Sequence, residues 1–132
     1  MENSAPKHVV LVVDDFFLTR RTLQLFFDKM GIVVSEAKNG QEALDILNAQ
    51  GPDIFFMIIV DLKMPVMNGK EFILKAKQIY KDKLPPLLVC SSTENADDIK
   101  EIVSLGIDGY IMKPIDFNVM KKKINELLLK RR

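Results

Sequence analysis

Residues 55–65 read FFMIIVDLKMP: six apolar side chains in succession, followed by Asp61. An apolar run without polar alternation is typical of a β-strand buried on both faces of a parallel sheet. Similar runs recur along the chain, and segments with helical periodicity separate them. The sequence predicts strands at 8–13, 32–37, 55–60, 86–90 and 109–112, and helices at about 17–30, 40–49, 69–81, 94–105 and 116–131. This alternation predicts an α/β fold: a doubly wound, five-stranded parallel sheet with five helices on its two faces.

The composition limits the possible function classes. The 132 residues suit one domain, with 1–7 expected as a flexible N-terminal segment. A net charge of +1 opposes a dedicated nucleic-acid or anionic-membrane binder, and no apolar run approaches the ~20 residues of a membrane span. Because Cys90 is the single cysteine, an internal disulfide and a multi-cysteine zinc site are excluded. We therefore expect a cytoplasmic location without membrane insertion.

Polar residues stand at the ends of four predicted strands. Asp14 and Asp15 follow the first strand, Asp61 the third, Ser91 the fourth and Lys113 the fifth. In doubly wound folds the carboxyl ends of the strands meet at the edge where ligands bind. Three carboxylates converging there would repel one another unless a cation lay among them. Oxygen ligands without histidine or thiolate suit Mg²⁺, which shares its coordination shell readily with phosphate.

These residue types predict phosphoryl transfer. Lys113 would supply a positive charge for one phosphoryl oxygen, Ser91 a hydroxyl donor for another, and Mg²⁺ would hold the third. Asp61 is then the natural acceptor, and an ionised carboxylate needs no separate strong base. The expected product is an aspartyl phosphate.

The sequence resembles the receiver domains of two-component response regulators, the family of the single-domain chemotaxis regulator. Five motifs carry the resemblance across nearly the whole chain: VLVVDD (10–15), AKNGQEAL (37–44), VDLKMPVMNG (60–69), LLVCSS (87–92) and GYIMKP (109–114). Their spacing also agrees, with 30 residues from Asp61 to Ser91 and 22 from Ser91 to Lys113. The resemblance implies a flavodoxin-like sheet with strand order 2-1-3-4-5.

The resemblance also implies the roles of the acidic motifs. Asp61 corresponds to the family's phospho-acceptor, Asp15 to a direct Mg²⁺ ligand and Asp14 to its partner, which acts through metal-bound water. Lys63 would contribute its backbone carbonyl to the metal.

A switch and its partners are implied in the same way. Ser91 and Lys113 would contact the phosphoryl group, and Tyr110 would rotate as the domain is activated. The implied donor is a phosphohistidine on a sensor histidine kinase or phosphotransfer protein. The implied output is an unidentified protein that binds the face formed by helix 4, strand 5 and helix 5. Such a domain assists its own phosphorylation and dephosphorylation and is not otherwise an enzyme.

Each motif residue taken alone has a structural alternative. The acidic pair Asp14-Asp15 could cap the first helix, and Lys113 could be a solvated turn residue. Ser91, Ser92 or Thr93 could cap the fourth helix, and Tyr110 could be half-buried packing. In the C-terminal helix, an apolar stripe is expected to face the sheet and leave the cations in solvent, without direct nucleic-acid contact. The expected stripe is Ile115, Val119, Ile124, Leu127 and Leu128.

Three rival functions remain open. A haloacid-dehalogenase-like phosphatase also uses an aspartyl nucleophile, a hydroxyl, a lysine and Mg²⁺, but it places D-x-D after its first strand, where this chain has adjacent aspartates. A phosphorylation-independent interaction module of the same fold is opposed by the intact acidic pair, acceptor and lysine. A flavin-binding protein would need a hydroxyl- and glycine-rich phosphate loop after the first strand, which this chain lacks.

Overall fold

A computed structural model of the chain describes residues 8–130. The predicted flexible segment 1–7 and the last two residues lie outside the described part. Five strands and five helices alternate along residues 8–130: β1 Val9–Val13, α1 Phe17–Asp28, β2 Val33–Ala37, α2 Gly40–Gln50, β3 Phe55–Val60, α3 Gly69–Tyr80, β4 Leu87–Ser91, α4 Ala96–Ser104, β5 Gly109–Met112 and α5 Phe117–Lys130. Each predicted element is present, and within the described part the boundaries agree to within two residues.

The strands form one parallel sheet in the order β2-β1-β3-β4-β5. The predicted doubly wound α/β fold and its flavodoxin-like strand order are therefore confirmed. The chain runs outward from β1 to β2 and then returns to place β3 on the other side of β1, so strand order reverses between β1 and β3. Val13 lies level with Ala37 and Val60 in the ladder. The carboxyl ends of these three strands thus reach the same edge.

A separate hydrophobic core lies on each face of the sheet, and β3 contributes to both. Phe55, Ile58 and Val60 pack with residues of α2 and α3, while Phe56 and Ile59 pack with residues of α1 and α5. Burying each such side chain is worth roughly 1.5–3 kcal/mol. Because both faces are covered, β3 carries no polar side chain until the chain leaves the sheet at Asp61.

Three of the helices have an asparagine as the N-cap residue. The Asn39 side chain accepts a hydrogen bond from the amide at the start of α2, and Asn68 forms a reciprocal capping box with Glu71 in α3. In α4 the cap is Asn95, which accepts from two main-chain amides. The alternative that one of the residues 91–93 caps this helix is therefore wrong.

The sheet-facing side of α5 differs from the predicted stripe at one position. Ile124 and Leu127 are buried as expected, but Val119 is 52% exposed and Met120 is buried in its place. One position along a helix turns the side chain by about 100°, which is enough to move it from core to solvent. No helix within residues 8–130 combines the length and apolarity needed to cross a membrane.

Candidate functional site

The ends of the central strands bring the predicted site residues to one edge of the sheet. The ladder continues just past the strands, because the Asp14 amide donates to the Ala37 carbonyl (3.0 Å) and the Asp61 amide to the Val13 carbonyl (2.9 Å). On the other side, the Lys113 amide donates to the Ser91 carbonyl (2.8 Å). These main-chain bonds fix where each side chain leaves the backbone, so sheet geometry builds the site.

Three carboxylates converge at this edge. Asp14, Asp15 and Asp61 each offer an oxygen, and the three oxygens lie within 4.8 Å of one another. The side chains of Asp14 and Asp61 are only 4% and 12% exposed, whereas Asp15 is exposed. The cluster therefore has a buried floor and one solvent-facing member.

Lys113 reaches into the cluster from the end of β5. Its Nζ lies 2.8 Å from Asp14 Oδ2 and 3.3 Å from Asp61 Oδ2. The second oxygen of each carboxylate is also engaged: Asp61 Oδ1 accepts from the Leu62 amide (2.8 Å), and Asp14 Oδ1 accepts from the Phe16 amide (2.9 Å). One amine thus compensates two buried carboxylates, and Lys113 is not a free turn residue.

Burial and neighbouring charges both shift the pKa values of Asp61 and Lys113. Burial raises the pKa of Asp61 above its usual value, and the charge of Asp14 adds to the rise, while Lys113 and the Leu62 amide lower it. Burial by itself would lower the pKa of Lys113, but its hydrogen bond to Asp14 and the two negative charges outweigh that effect, and the pKa is raised. Lys113 therefore stays charged at neutral pH, and its charge and the Leu62 amide favour the ionised form of Asp61 against the effect of burial.

The acidic pair does not cap α1. Phe16 occupies the capping position, and no side chain there satisfies the first helical amides. Asp14 instead accepts from the Phe16 amide within the loop and pairs with Lys113. The helix-cap alternative is therefore not supported.

Thr93 connects the hydroxyl residues of β4 and β5. The buried Ser91 hydroxyl accepts from the Thr93 amide (3.2 Å) and donates to Thr93 Oγ1 (3.3 Å). The Tyr110 hydroxyl, from β5, donates to the Thr93 carbonyl (3.2 Å). Ser91 and Tyr110 are thus both tied to the loop that precedes α4.

The loop from Asp61 to α3 is tightly packed. A Cβ at Gly69 would lie 2.2 Å from the Asp61 carbonyl oxygen, and the Gly69 amide donates to the Leu62 carbonyl (2.9 Å). Val66 adopts a left-handed conformation with φ of 66° and is 81% exposed, which is costly for a β-branched residue. Lys63 lies in this loop with its side chain exposed.

The donor set fits a hard divalent cation. Carboxylate oxygens are the ligands that Mg²⁺ prefers. The nearby Cys90 is a poor competitor as a ligand, because burial raises the pKa of its thiol to about 12. Asp14, Asp15 and Asp61 would hold the ion, and the solvent exposure of Asp15 leaves one side of the cluster open to water and phosphate.

Comparison with known proteins agrees with this geometry. The family model for the response regulator receiver domain matches residues 10–125. The chain belongs to the response regulator receiver domain family. Members of this family are the signalling switches of two-component systems, and the resemblance described above is thereby confirmed.

Two relatives and one solved structure illustrate the match. The chain is 29% identical over 119 residues to the chemotaxis protein CheY of Pseudomonas aeruginosa, which covers 89% of this chain and 94% of that protein. It is 34% identical over 113 residues to the sensor histidine kinase CheAY of Helicobacter pylori, covering 86% of this chain and 14% of that protein. A receiver protein from Pseudomonas putida superposes with a TM-score of 0.84 at 26% identity, covering 93% of this chain and 99% of that one. The chain spans 33% or less of the length of its longer relatives.

Arg20 is a site residue of this receiver that the motif analysis missed. It is only 6% exposed and donates from Nη1 to the Asp14 carbonyl (2.9 Å) and from Nε to Glu36 (2.8 Å). A sequence pattern could have revealed it, because Arg20 shares one helical face with Leu23 and Phe27. A cation on an otherwise apolar stripe indicates a buried partner.

Proposed function

We propose that this receiver domain accepts a phosphoryl group on Asp61, in a Mg²⁺-dependent step, from a phosphohistidine donor. The observation that supports the proposal most strongly is the position of the Asp61 carboxylate, which lies beside Lys113 and within one cation's reach of Asp14 and Asp15. A nucleophile held rigidly at a strand end, next to compensating charge, meets the requirements of phosphoryl transfer.

The transfer is a displacement at phosphorus. An Asp61 carboxylate oxygen attacks the phosphorus, and a P–O bond forms as the P–N bond to the donor imidazole breaks. The imidazole nitrogen keeps the electron pair and takes a proton from solvent. In dephosphorylation, water attacks the phosphorus, the P–O bond to Asp61 breaks, and inorganic phosphate leaves with the carboxylate restored.

Asp14, Asp15 and Asp61 would hold the Mg²⁺ ion, and the family resemblance adds the Lys63 carbonyl. The bound ion supplies positive charge next to the phosphoryl oxygens. Lys113 supplies the second positive charge, and its ion pairs with Asp14 and Asp61 already direct its amine toward the acceptor. The protein's contribution is therefore orientation and charge compensation.

Phosphorylation would shift a two-state equilibrium of the loop after β4. The phosphoryl group offers the Ser91 hydroxyl a charged acceptor in place of Thr93, to which it is bonded in this structure. Because the Tyr110 hydroxyl also donates to the Thr93 carbonyl, a movement of this loop would change the hydrogen bond that holds the Tyr110 ring in place. Charge-assisted contacts are worth ~1.5–3 kcal/mol each, and two of them approach the ~5.5 kcal/mol that inverts a 1:99 population.

The proposed donor is a sensor histidine kinase or a phosphotransfer protein, and the sensor kinase among the relatives supports this partner class. We propose that a downstream protein binds the face of α4, β5 and α5, since α4 follows the Ser91 loop and β5 carries Tyr110. The net charge of +1 does not favour direct nucleic-acid binding. A reducing compartment, the cytoplasm, suits the free thiol of Cys90.

The direct test is phosphorylation by a small donor. The chain is incubated with acetyl phosphate and Mg²⁺ and its intact mass is measured, beside Asp61→Asn and the exposed control Asp53→Asn. We expect one added phosphoryl group in the parent and in Asp53→Asn, none in Asp61→Asn, and none when EDTA removes the metal.

Two results would oppose the proposal. An unmodified parent, under conditions that modify another receiver and with a phosphohistidine donor also tried, would remove the acceptor role of Asp61. Rapid turnover of many phosphate esters would favour the phosphatase alternative.

A further inference from the structure

Arg20 links three segments of the chain next to the acidic cluster: α1, β2 and the end of β1. Its Nε donates to Glu36 on β2 (2.8 Å), and its Nη1 donates to the Asp14 carbonyl at the end of β1 (2.9 Å). Its guanidinium also lies 5.8 Å from the ring centre of Phe17. A buried cation is costly unless its donors are satisfied, and Arg20 makes two hydrogen bonds here that a hydrophobic residue could not make.

The contact to Asp14 fixes a peptide and not a side chain. The carbonyl that Arg20 binds belongs to the peptide linking Asp14 to Asp15, and the Asp14 amide is held by Ala37. With both sides of Asp14 bonded, the peptide plane cannot rotate freely. This peptide carries the nitrogen of Asp15, so its plane sets the position from which the exposed Asp15 side chain leaves the main chain.

We propose that Arg20 is a positioning residue that orients the Asp14–Asp15 peptide, and with it the Asp15 carboxylate, for binding the divalent cation. The inference rests on the proposed function for the identity of the cation. Glu36 contributes to the same positioning, since its hydrogen bond with Arg20 Nε leaves Arg20 Nη1 directed at the Asp14 carbonyl.

A purely electrostatic role of Arg20 predicts the opposite sign. A positive charge close to three carboxylates repels a second cation, so its removal would strengthen Mg²⁺ binding if charge were all that mattered. If orientation matters more, the removal weakens binding. The sign of the change in affinity therefore separates the two roles.

The test measures Mg²⁺ affinity directly, by calorimetric titration of the folded chain with magnesium chloride and no phosphodonor. The variants are Arg20→Met, Arg20→Lys and Glu36→Gln. Arg21→Met is the matched control, because Arg21 is the next residue in the same helix, is exposed and bonds only Gln24 among the described residues. Leu47→Ala is a stability control, since Leu47 is a fully buried core residue of α2 and neither bonds Arg20 nor carries a carboxylate of the cluster.

We expect Arg20→Met to raise the Mg²⁺ dissociation constant about 10-fold, in line with the loss of an outer-shell contact at a metal site. Arg20→Lys keeps the charge but cannot make both hydrogen bonds, so binding weakens there too, and Glu36→Gln has a smaller effect of the same sign. Arg21→Met and Leu47→Ala bind Mg²⁺ as the parent does. At saturating Mg²⁺ the rate of Asp61 phosphorylation by acetyl phosphate in Arg20→Met returns close to that of the parent.

Tighter binding in Arg20→Met with unchanged binding in Arg20→Lys would assign Arg20 an electrostatic role and overturn the inference. Unchanged Mg²⁺ affinity in Arg20→Met and Arg20→Lys, or weakened affinity in Leu47→Ala as well, would show that Arg20 only stabilises the fold and would overturn the inference. A parent that binds no Mg²⁺ removes the inference altogether. A parent that binds Mg²⁺ but is not phosphorylated removes the proposed function alone.

Discussion

Replacing Lys113 by methionine removes the amine that lies between two buried carboxylates. Asp14 and Asp61 would then face each other without that cation. Removing one partner of a buried ion pair costs ~3–5 kcal/mol. Because the Lys113 side chain is 20% exposed and water can partly replace it, we expect the lower limit, about 3 kcal/mol. An unfolding entropy of roughly 2.1 cal/mol/K per residue converts this loss to a fall in melting temperature of about 10 °C.

The assay is thermal unfolding followed by circular dichroism at neutral pH in EDTA. Lys123→Met is the matched control, since Lys123 also faces a carboxylate, Glu126, but at 3.9 Å and with the two side chains 31% and 53% exposed. Such exposed pairs contribute ~0–1 kcal/mol, so this variant should melt close to the parent. Added Mg²⁺ should recover part of the stability of Lys113→Met, because the ion supplies the missing positive charge.

The pH dependence of Lys113→Met tests the electrostatic explanation. Burial already raises the pKa of Asp61, and without Lys113 that pKa rises further. The carboxylate therefore protonates as the pH falls, and the deficit of the variant shrinks in acid. A stability deficit that stays constant from neutral to acidic pH, or one equal to that of Lys123→Met, would refute the explanation that Lys113 stabilises the fold by compensating the charges of Asp14 and Asp61.

Three other substitutions test the local structure of the site. Val66→Gly should stabilise the fold by about 1 kcal/mol, because relief of the left-handed conformation (~1–2 kcal/mol) exceeds the entropy that glycine adds to the unfolded chain (~0.4–1 kcal/mol); thermal unfolding measures it, and Val66→Ala, which keeps a Cβ, should gain less. Gly69→Ala should lower the urea midpoint by an amount equivalent to about 3 kcal/mol, because the new Cβ would meet the Asp61 carbonyl at 2.2 Å. Asp61→Asn should raise the melting temperature of the metal-free protein at neutral pH, unlike Asp53→Asn, and the gain should vanish in acid: a raised folded-state pKa means that the ionised group opposes folding, and this opposition disappears as the pH falls through that pKa.

The fold was accessible from local patterns. The uniformly apolar β3 has both faces buried, and parallel strands covered on two sides are expected to look like this. The strand order was a different matter, since it came from the resemblance to receiver domains and not from any single segment. Helix periodicity located α5 but misplaced its buried face by one residue, at Val119 and Met120.

The candidate site was accessible for a related reason. Asp14, Asp61 and Lys113 each follow a strand directly, and the carboxyl ends of parallel strands share an edge, so their convergence followed from their positions in the chain. Arg20 lies inside a helix, where arginine is ordinarily exposed. The apolar face that it shares with Leu23 and Phe27 could have indicated its burial, but its two partners, Glu36 and the Asp14 carbonyl, lie outside α1 and cannot be identified from the pattern of that helix.

The order of apolar and polar residues was therefore sufficient to predict the helices and strands. It also predicted the sheet edge at which the charged residues gather and the chemistry that these residues suit. Each of these predictions depends only on periodicity and on position relative to a strand end. The partners of individual groups required the folded chain. Three sets of contacts join side chains and loops from different elements. Lys113 pairs with Asp14 and Asp61, Thr93 bonds both Ser91 and Tyr110, and Arg20 bonds the Asp14 carbonyl. Their distances are set by packing of the whole domain, which no local stretch of sequence encodes.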